Sequence, residues 1–374
     1  MKKQMLFVAM AAIAMASCSK DETSGVNQGG AMNFRASLGK TLSRATETTL
    51  GNLNVFNVTA IGDGKAYFTD LAVTKAGGTW TPAQTYYWPK YELQFFAYAP
   101  QNSTGVSIMP DAQKITDYTP AAAAADQQDL VISYNKGTKE LNEKSGVEMN
   151  FKHALSQIKI MAKNSNAKTM KVEIVGVKVA NVDMKGTFTF PTTPTTADYV
   201  LLPNSWSTVA HANNGSDKYE SKATGSVTLT ADAADLMFGA DGKNNENWML
   251  VPQTQTAWDG GAKPEGSYLA VLCRICELDE KGNERKEVWP ADHKTVTEVN
   301  GHNYAYSAVG AAMNWEPGKR YTYTLDFFGN NGGGGGEIDP TDPENPGEEI
   351  VGGSINFTVT VDGWLDGGNT NVEM

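Results

Sequence analysis

The chain ends in a segment in which apolar and polar residues alternate without a break, from Ser354 to Asp362. Because the side chains of an extended strand point alternately to its two faces, the apolar residues of this segment share one face. They are Ile355, Phe357, Val359 and Val361. That face must be buried, yet residues 329–349, rich in glycine, proline and acids, separate the segment from the preceding chain. Such a tethered strand can pair with its own chain or with a neighbouring molecule.

The same two-residue alternation recurs along most of the chain, whereas long apolar patterns with a period of 3.6 residues are missing. The only obvious helix-favouring run is the short alanine stretch at residues 121–125. Two series of about seven alternating segments, separated by glycine- and proline-containing turns, predict an all-β protein. We expect two β-sandwich domains in tandem, at residues 45–146 and 147–328.

The net charge of −11 is concentrated in the segment of residues 329–349. Its acids are Glu337, Asp339, Asp342, Glu344, Glu348 and Glu349, with no basic residue among them. The prolines between them prevent the convergent geometry of a calcium site, so we predict a solvated acidic linker that stays out of sheets. The domains carry no clustered basic face, which argues against a nucleic-acid partner.

The first 17 residues have the pattern of a bacterial lipoprotein signal peptide. Lys2 and Lys3 precede an apolar core at residues 6–15, which is too short to span a bilayer. Small residues then precede Cys18, a position that resembles a lipid attachment site, and acyl chains on Cys18 would anchor the precursor to a membrane. The alternative is an ordinary secretory signal in which Cys18 is incidental.

A second short amphipathic strand lies within residues 18–44, which otherwise have the composition of a flexible tether up to Gly30. Its apolar residues are Met32, Phe34, Ala36 and Leu38. The polar stretch that follows contains Arg44 before Ala45, a natural cleavage site for a trypsin-like protease. Arg44 could equally be a simple loop arginine. Arg35 is a second candidate cleavage site, but pairing of its strand would protect it.

Residues that commonly act in catalysis or bind metals, such as cysteine and histidine, are few and isolated in this sequence. Cys273 and Cys276 lie three apart in a predicted strand and so face opposite sides, which favours small buried residues over a disulfide or zinc site. His153 lies in a strongly alternating segment and is expected to be packed and hydrogen-bonded. No G-x-S-x-G, H-E-x-x-H or phosphate-binding glycine motif is present. We therefore predict a protein that is not an enzyme and has no catalytic residue, metal or cofactor.

Taken in order, these features resemble the fimbrillin family of Bacteroidales, the pilins of the protease-assisted (type V) pili. The motifs that carry the resemblance are DE at residues 21–22, SRATE at 43–47, LNVFNV at 53–58, YYWP at 86–89, FFAYAP at 95–100, FKHAL at 151–155, Trp315 with GKRYTY at 318–323, and the C-terminal strand with Trp364. Each motif is weak alone, and their shared order is what makes the resemblance specific.

The resemblance implies a mechanism of assembly. The precursor would be lipidated at Cys18 and delivered to the cell outer membrane, where an arginine-specific surface protease would cut between Arg44 and Ala45. Removal of the strand from Met32 to Leu38 would open a groove, and the strand from Ile355 to Val361 of another pilin subunit would fill it. The product would be a fimbrium that supports cell adhesion through a receptor that the sequence does not identify. The predicted fold class is accordingly all-β, with two tandem β-sandwich (transthyretin-like) domains and a tethered C-terminal donor strand at residues 350–374.

Physical chemistry favours strand donation independently. Removing a paired strand exposes apolar surface and unpaired backbone groups, which an incoming strand satisfies by β-augmentation. Burial of its four apolar side chains at about 1.5–3 kcal/mol each gives an upper bound of roughly 6–12 kcal/mol for one junction. A linker of this length reaches at most about 70 Å, and head-to-tail repetition of the junction gives an open filament.

A glycan-binding surface lipoprotein is the alternative hypothesis. Its support is the export signal together with five tryptophans that could form a sugar-binding platform. They are Trp80, Trp88, Trp206, Trp258 and Trp289. This hypothesis requires that the tryptophans be exposed and roughly coplanar.

Overall fold

The computed structural model of the protein describes residues 26–38, 48–239, 246–329 and 333–364. Within these ranges the fold is built from strands, with one four-residue α-helix, α1 (Lys139–Asn142), and two 3-10 turns at Ala124–Asp126 and Pro203–Ser205. The prediction of an all-β protein is confirmed, while the division into two tandem transthyretin-like sandwiches stays a prediction. No helix in the described part of the chain has the length and apolar character needed to cross a membrane.

Eleven strands lie within the described residues up to His153. They are β1 (Val26–Ala31), β2 (Phe34–Leu38), β3 (Val55–Gly62), β4 (Lys65–Ala76), β5 (Thr79–Pro82), β6 (Tyr87–Pro89), β7 (Leu93–Ala99), β8 (Val106–Met109), β9 (Ala112–Tyr118), β10 (Val131–Gly137) and β11 (Val147–His153).

The remaining described strands are β12 (Ser156–Asn164), β13 (Met170–Ala180), β14 (Lys185–Thr189), β15 (Trp206–Val209), β16 (Lys218–Thr228), β17 (Ala234–Asp235), β18 (Trp248–Leu250), β19 (Thr254–Gln255), β20 (Tyr268–Leu278), β21 (Glu284–Trp289), β22 (Thr297–Val299), β23 (His302–Gly310), β24 (Met313–Asn314), β25 (Lys319–Phe327), β26 (Glu337–Ile338) and β27 (Asn356–Gly363).

Seven strands of the first half close into a barrel in the order β10-β11-β2-β5-β4-β3-β7. Alternate residues of these strands point inward and form one apolar core, as the two-residue period dictates. β2 pairs in parallel with β11 over five positions but meets β5 at a single position, Phe34 opposite Trp80. An N-terminal strand therefore closes the barrel, and one of its two sides is only lightly paired.

The chain passes from the barrel to the next sheet within one uninterrupted alternating segment. β11 belongs to the barrel, whereas β12 belongs to another sheet, and only Ala154 and Leu155 separate them. We name these two residues the junction. The second domain was expected to begin at Val147, but β11, which begins there, completes the barrel instead. The difference arises because the alternating pattern is the same in both sheets and carries no mark where the chain changes from one to the other.

The second half packs two sheets against each other. One has the order β17-β12-β25-β27, and the other has the order β16-β13-β20-β23-β22. Their inward-facing side chains form the largest apolar core of the described chain. β27 is the edge strand of its sheet and pairs antiparallel with β25 over eight positions, from Lys319 opposite Gly363 to Asp326 opposite Asn356. The C-terminal strand thus rests on its own chain, at an edge rather than in the middle of a sheet.

The acidic segment before β27 is packed onto the protein body. We name residues 333–350 the acidic strap. Within it, β26 pairs with β23, and Asp339 Oδ2 lies 2.6 Å from Lys178 Nζ, with the two side chains only 3% and 4% exposed. Ile338 within the strap and Ile350 at its end are buried. The expectation of a solvated linker is therefore wrong for this part, because the partner of Asp339 lies far away in sequence on β13.

We expect the buried ion pair of the acidic strap to be important for stability. Asp339→Ala leaves the Lys178 ammonium buried without its partner, which typically costs about 3–5 kcal/mol. Urea unfolding should show this loss, whereas Glu348→Ala, a change at an exposed acid of the same strap, should stay within about 0.5 kcal/mol of wild type. Equal stabilities for the two variants would contradict the packed position of the strap.

Candidate site of strand exchange

The inner face of β2 fills part of the barrel core. Phe34 is 5% exposed, and its ring meets the rings of Phe56 and Phe95 edge-to-face, at centroid distances of 6.2 and 5.9 Å. Met32 and Leu38 are also buried, and Ala36 is partly buried against the same core. The four residues that the sequence assigns to a removable strand thus share one apolar face, which the alternation predicts.

The outer face of β2 is only weakly attached. Arg35 forms an ion pair of 3.2 Å with Glu148, but both side chains are about half exposed, so the pair contributes little to stability. Ser37 is hydrogen-bonded to Asn150. Apolar burial and the ladder with β11 are therefore the main interactions that hold β2, and its removal leaves β11 with one unpaired edge.

The segment before β2 differs from the expected tether. Val26–Ala31 forms β1, which pairs antiparallel with β6, and Met32 N donates a hydrogen bond of 2.8 Å to Tyr86 O. Glycine and polar residues in this stretch hid the strand from pattern analysis. An additional pairing in a separate two-stranded sheet therefore holds the N-terminal segment on the protein.

The predicted lipidation and cleavage residues, Cys18, Arg44 and Ala45, lie outside the described residues. The first described residue after the predicted cut is Thr48. Its backbone N donates a hydrogen bond of 2.9 Å to Asp129 Oδ2, and its Oγ1 donates one of 3.3 Å to Asp129 O. The chain downstream of the cut is thus fastened at the end of the barrel.

The predicted donor residues lie at the interface between β27 and β25. Ile355 is buried, whereas Phe357, Val359 and Val361 are only partly buried against the core beneath them. The Phe357 ring lies 6.3 Å from the ring of Tyr323, centroid to centroid. In its present position the strand therefore leaves part of its apolar face in contact with solvent.

A buried polar and aromatic cluster meets the end of β27 at the junction. His153 Nδ1 lies 2.8 Å from Asp129 Oδ2, and both side chains are fully buried. The indole of Trp364 stacks on the imidazole of His153, with centroids 4.4 Å apart and planes 8° from parallel. Trp364 N also donates a hydrogen bond of 2.8 Å to Gly318 O. The prediction that His153 is packed and hydrogen-bonded is confirmed, but the sequence did not reveal either partner.

The cysteines outside the signal region have no redox or metal-binding arrangement. Cys273 and Cys276 lie on β20, are buried and form no disulfide. Burial raises the pKa of the Cys276 thiol to about 12, so it is not a reactive thiolate at neutral pH. The prediction of small buried residues is confirmed.

All eight tryptophans of the chain are buried. The five on which the glycan-binding hypothesis depends are at most 8% exposed. Aromatic rings bind sugars by stacking on an accessible face, which none of these residues offers. The five tryptophans therefore do not form the sugar-binding platform on which the glycan-binding hypothesis depends.

Comparisons with known proteins give the following matches. A family model described as Fimbrillin-like matches residues 43–340. No curated protein matches the chain. A solved fimbrial protein from Bacteroides vulgatus is 16% identical, with a TM-score of 0.49 over 90% of this chain and 100% of that one. A candidate cell adhesion protein from Bacteroides ovatus is 14% identical, with a TM-score of 0.47 over 90% and 99%. The fimbrial anchor protein Mfa2 from Porphyromonas gingivalis is 11% identical, with a TM-score of 0.29 over 90% and 98%.

We expect Phe34 to be the main anchor of β2 in the uncut protein. Phe34→Ala leaves a cavity among the barrel aromatics and should lower the free energy of unfolding by about 3–5 kcal/mol. Urea unfolding, with hydrogen exchange of the barrel amides, measures this change. Arg35→Ala, on the outer face of the same strand, should change stability by about 0.5 kcal/mol or less. A similar loss in both variants would mean that burial of the inner face does not hold the strand.

Proposed function

This chain belongs to the Fimbrillin-like family, and on that premise we propose that it is a fimbrial subunit that polymerises by exchange of its first strand for the last strand of a neighbour. Family membership makes it a structural, cell-surface protein of the fimbrial and adhesion class rather than an enzyme. The observation that best supports the exchange is the pair of strands β2 and β27. One closes a barrel from the N-terminus, and the other lies half-buried at a sheet edge.

The proposal includes export as an outer-membrane lipoprotein. Cys18 carries the lipid, and the outer membrane holds the precursor until maturation. An arginine-specific surface protease then cuts between Arg44 and Ala45. Loss of the preceding chain removes β2, detaches the subunit from its lipid anchor, and exposes apolar surface beside the free edge of β11.

The two strands share one spacing of apolar residues, which sets the register of exchange. Met32, Phe34, Ala36 and Leu38 have the same two-residue intervals as Ile355, Phe357, Val359 and Val361. When the two strands are aligned on these residues, Phe357 takes the position of Phe34, so that one aromatic side chain replaces another. The incoming strand then runs parallel to β11, as β2 does, and its side chains enter the barrel core.

The difference in burial between the two positions favours exchange. Phe357 is partly buried on β25, whereas the Phe34 position in the barrel is 5% exposed. Full burial of a large apolar side chain is worth about 1.5–3 kcal/mol, so each partly buried side chain gains a fraction of that value. In the barrel the incoming strand lies between β11 and β5, although β5 pairs with it at only one position, whereas at the sheet edge only β25 lies beside it.

The packed acidic strap limits the reach of the donated strand. If residues 333–350 stay on their own body, only the residues after Ile350 are free to extend. Gly352 and Gly353 both have positive φ, a conformation that glycine adopts without strain, and they form the natural hinge. The four residues between Ile350 and Ile355 span at most about 17 Å when extended. Neighbouring subunits must therefore pack closely in the proposed filament.

Cleavage should convert the monomer into a polymer. We expect an arginine-specific protease to produce an SDS-resistant ladder from the wild-type chain and filaments in electron micrographs. Arg44→Ala should remain monomeric, while Arg35→Ala, the matched control, should polymerise normally. Deletion of residues 350–374 should permit cleavage but abolish the ladder. A fully cleaved wild-type chain that stays monomeric would contradict the proposal.

The register predicts that Phe357 is the main anchor of the polymer junction. Phe357→Ala should speed dissociation of the cleaved polymer at least tenfold, because truncation of a buried aromatic at an interface commonly costs 2 kcal/mol or more, roughly a thirtyfold change. Thr358→Ala, on the opposite and exposed face of the strand, should have little effect. Dissociation is measured from the decay of the ladder in denaturant. Equal rates for the two variants would exclude this register.

A further inference from the structure

We propose that Trp364 of each incoming strand occupies the site on the acceptor that the acceptor's own Trp364 fills before assembly, and so expels the acceptor's tail for the next addition. We name this position, formed by His153, Ala154 and Gly318, the tryptophan site. The inference rests on the proposed function, because it carries the register of exchange three residues beyond the donor strand. It adds a second contact and a direction of growth, which strand exchange alone does not provide.

The first step of the argument is register. β2 and β11 pair in parallel, with Leu38 opposite Phe151. When Phe357 takes the position of Phe34, Val361 takes that of Leu38 and lies opposite Phe151 of the acceptor. Trp364 lies three residues further along its strand, and three residues beyond Phe151 is Ala154, the first residue of the junction.

The second step is that the acceptor's own Trp364 lies at the same junction. β27 runs along β25 with Gly363 opposite Lys319. Gly318 N donates a hydrogen bond of 2.8 Å to Leu155 O, and Trp364 N donates one of 2.8 Å to Gly318 O. The resting tail and the donated tail thus approach the junction from two sides, and both end there.

The third step concerns the face on which the indole lies. The inward residues of β11, ending with Phe151, belong to the barrel core, and Ala154 belongs to a separate core on the outside of the barrel. The resting Trp364 belongs to that same outer core. In a donated strand whose odd-numbered residues point into the barrel, Trp364 is even-numbered and points outward. The incoming indole therefore faces the core that holds the resting one.

The tryptophan site can hold only one indole at a time. The resting Trp364 is 2% exposed and stacked flat on His153, so a second indole has no room beside it. An incoming tail that inserts its indole must displace the acceptor's own. The displaced β27 then loses its terminal anchor and becomes available to the next subunit. Refilling the tryptophan site also restores the apolar contacts that the acceptor loses when its own tail leaves.

Two peptides that differ in one residue test this inference. The acceptor is the cleaved full chain carrying Phe357→Ala, whose own tail donates poorly. One peptide comprises residues 350–364, and the other comprises residues 350–363 and lacks the tryptophan. Both should bind the open barrel, the longer one at least tenfold more tightly. Only the longer peptide should accelerate hydrogen exchange of residues 356–363 of the acceptor, by tenfold or more.

The outcomes separate the inference from the proposed function. If both peptides bind and the acceptor's tail exchanges equally fast with either, the inference is overturned while strand exchange stands. If neither peptide binds, strand exchange itself fails, and the inference fails with it.

Discussion

The parallel pairing of β2 with β11 is the interaction on which the rest of the barrel depends. The other six strands are later in the chain and leave a gap between β11 and β5 that only β2 fills. Apolar burial holds β2 in this gap, chiefly through Phe34, while its outer face makes little more than an exposed ion pair with Glu148. A strand held in this way is strongly bound while its chain is intact. In the proposed mechanism, a strand with the same apolar spacing takes its place.

The junction at Ala154 and Leu155 connects the barrel that contains β2 to the sheet that contains β27. β11 forms the edge that β2 covers, and β12 begins two residues later in the sheet whose edge is β27. Asp129 binds both Thr48, just after the predicted cut, and His153, on which Trp364 stacks. The chain just after the predicted cut, the end of β11 and the C-terminal tail therefore meet within a few side chains. A continuous series of contacts, from Thr48 through Asp129 and His153 to Trp364, connects these positions.

The all-β class and the amphipathic strands β2 and β27 could be predicted from the sequence because these features depend on local alternation of apolar and polar residues. The sequence could not predict which sheet a strand joins, since β11 and β12 form one unbroken pattern. It also missed β1, whose glycine and polar residues carry no apolar period. The acidic strap was mistaken for a solvated linker because the partner of Asp339, Lys178, is brought to it only by the fold. His153 was rightly expected to be packed, but Asp129 and Trp364 are separated from it in sequence and share no motif with it.

In the proposed exchange, the edge position of β27 would hold the donor strand on its own chain and still let it leave. A tail buried in the middle of its sheet would be too stable to leave, and a solvent-exposed amphipathic strand would be prone to unspecific pairing. At the edge, β27 satisfies its backbone on one side through eight paired positions and hides part of its apolar face. Only Ile355 at its beginning and Trp364 at its end are buried. Ile355 adjoins the acidic strap, so in the proposed exchange the indole of Trp364 at the other end is the contact whose loss would free the strand.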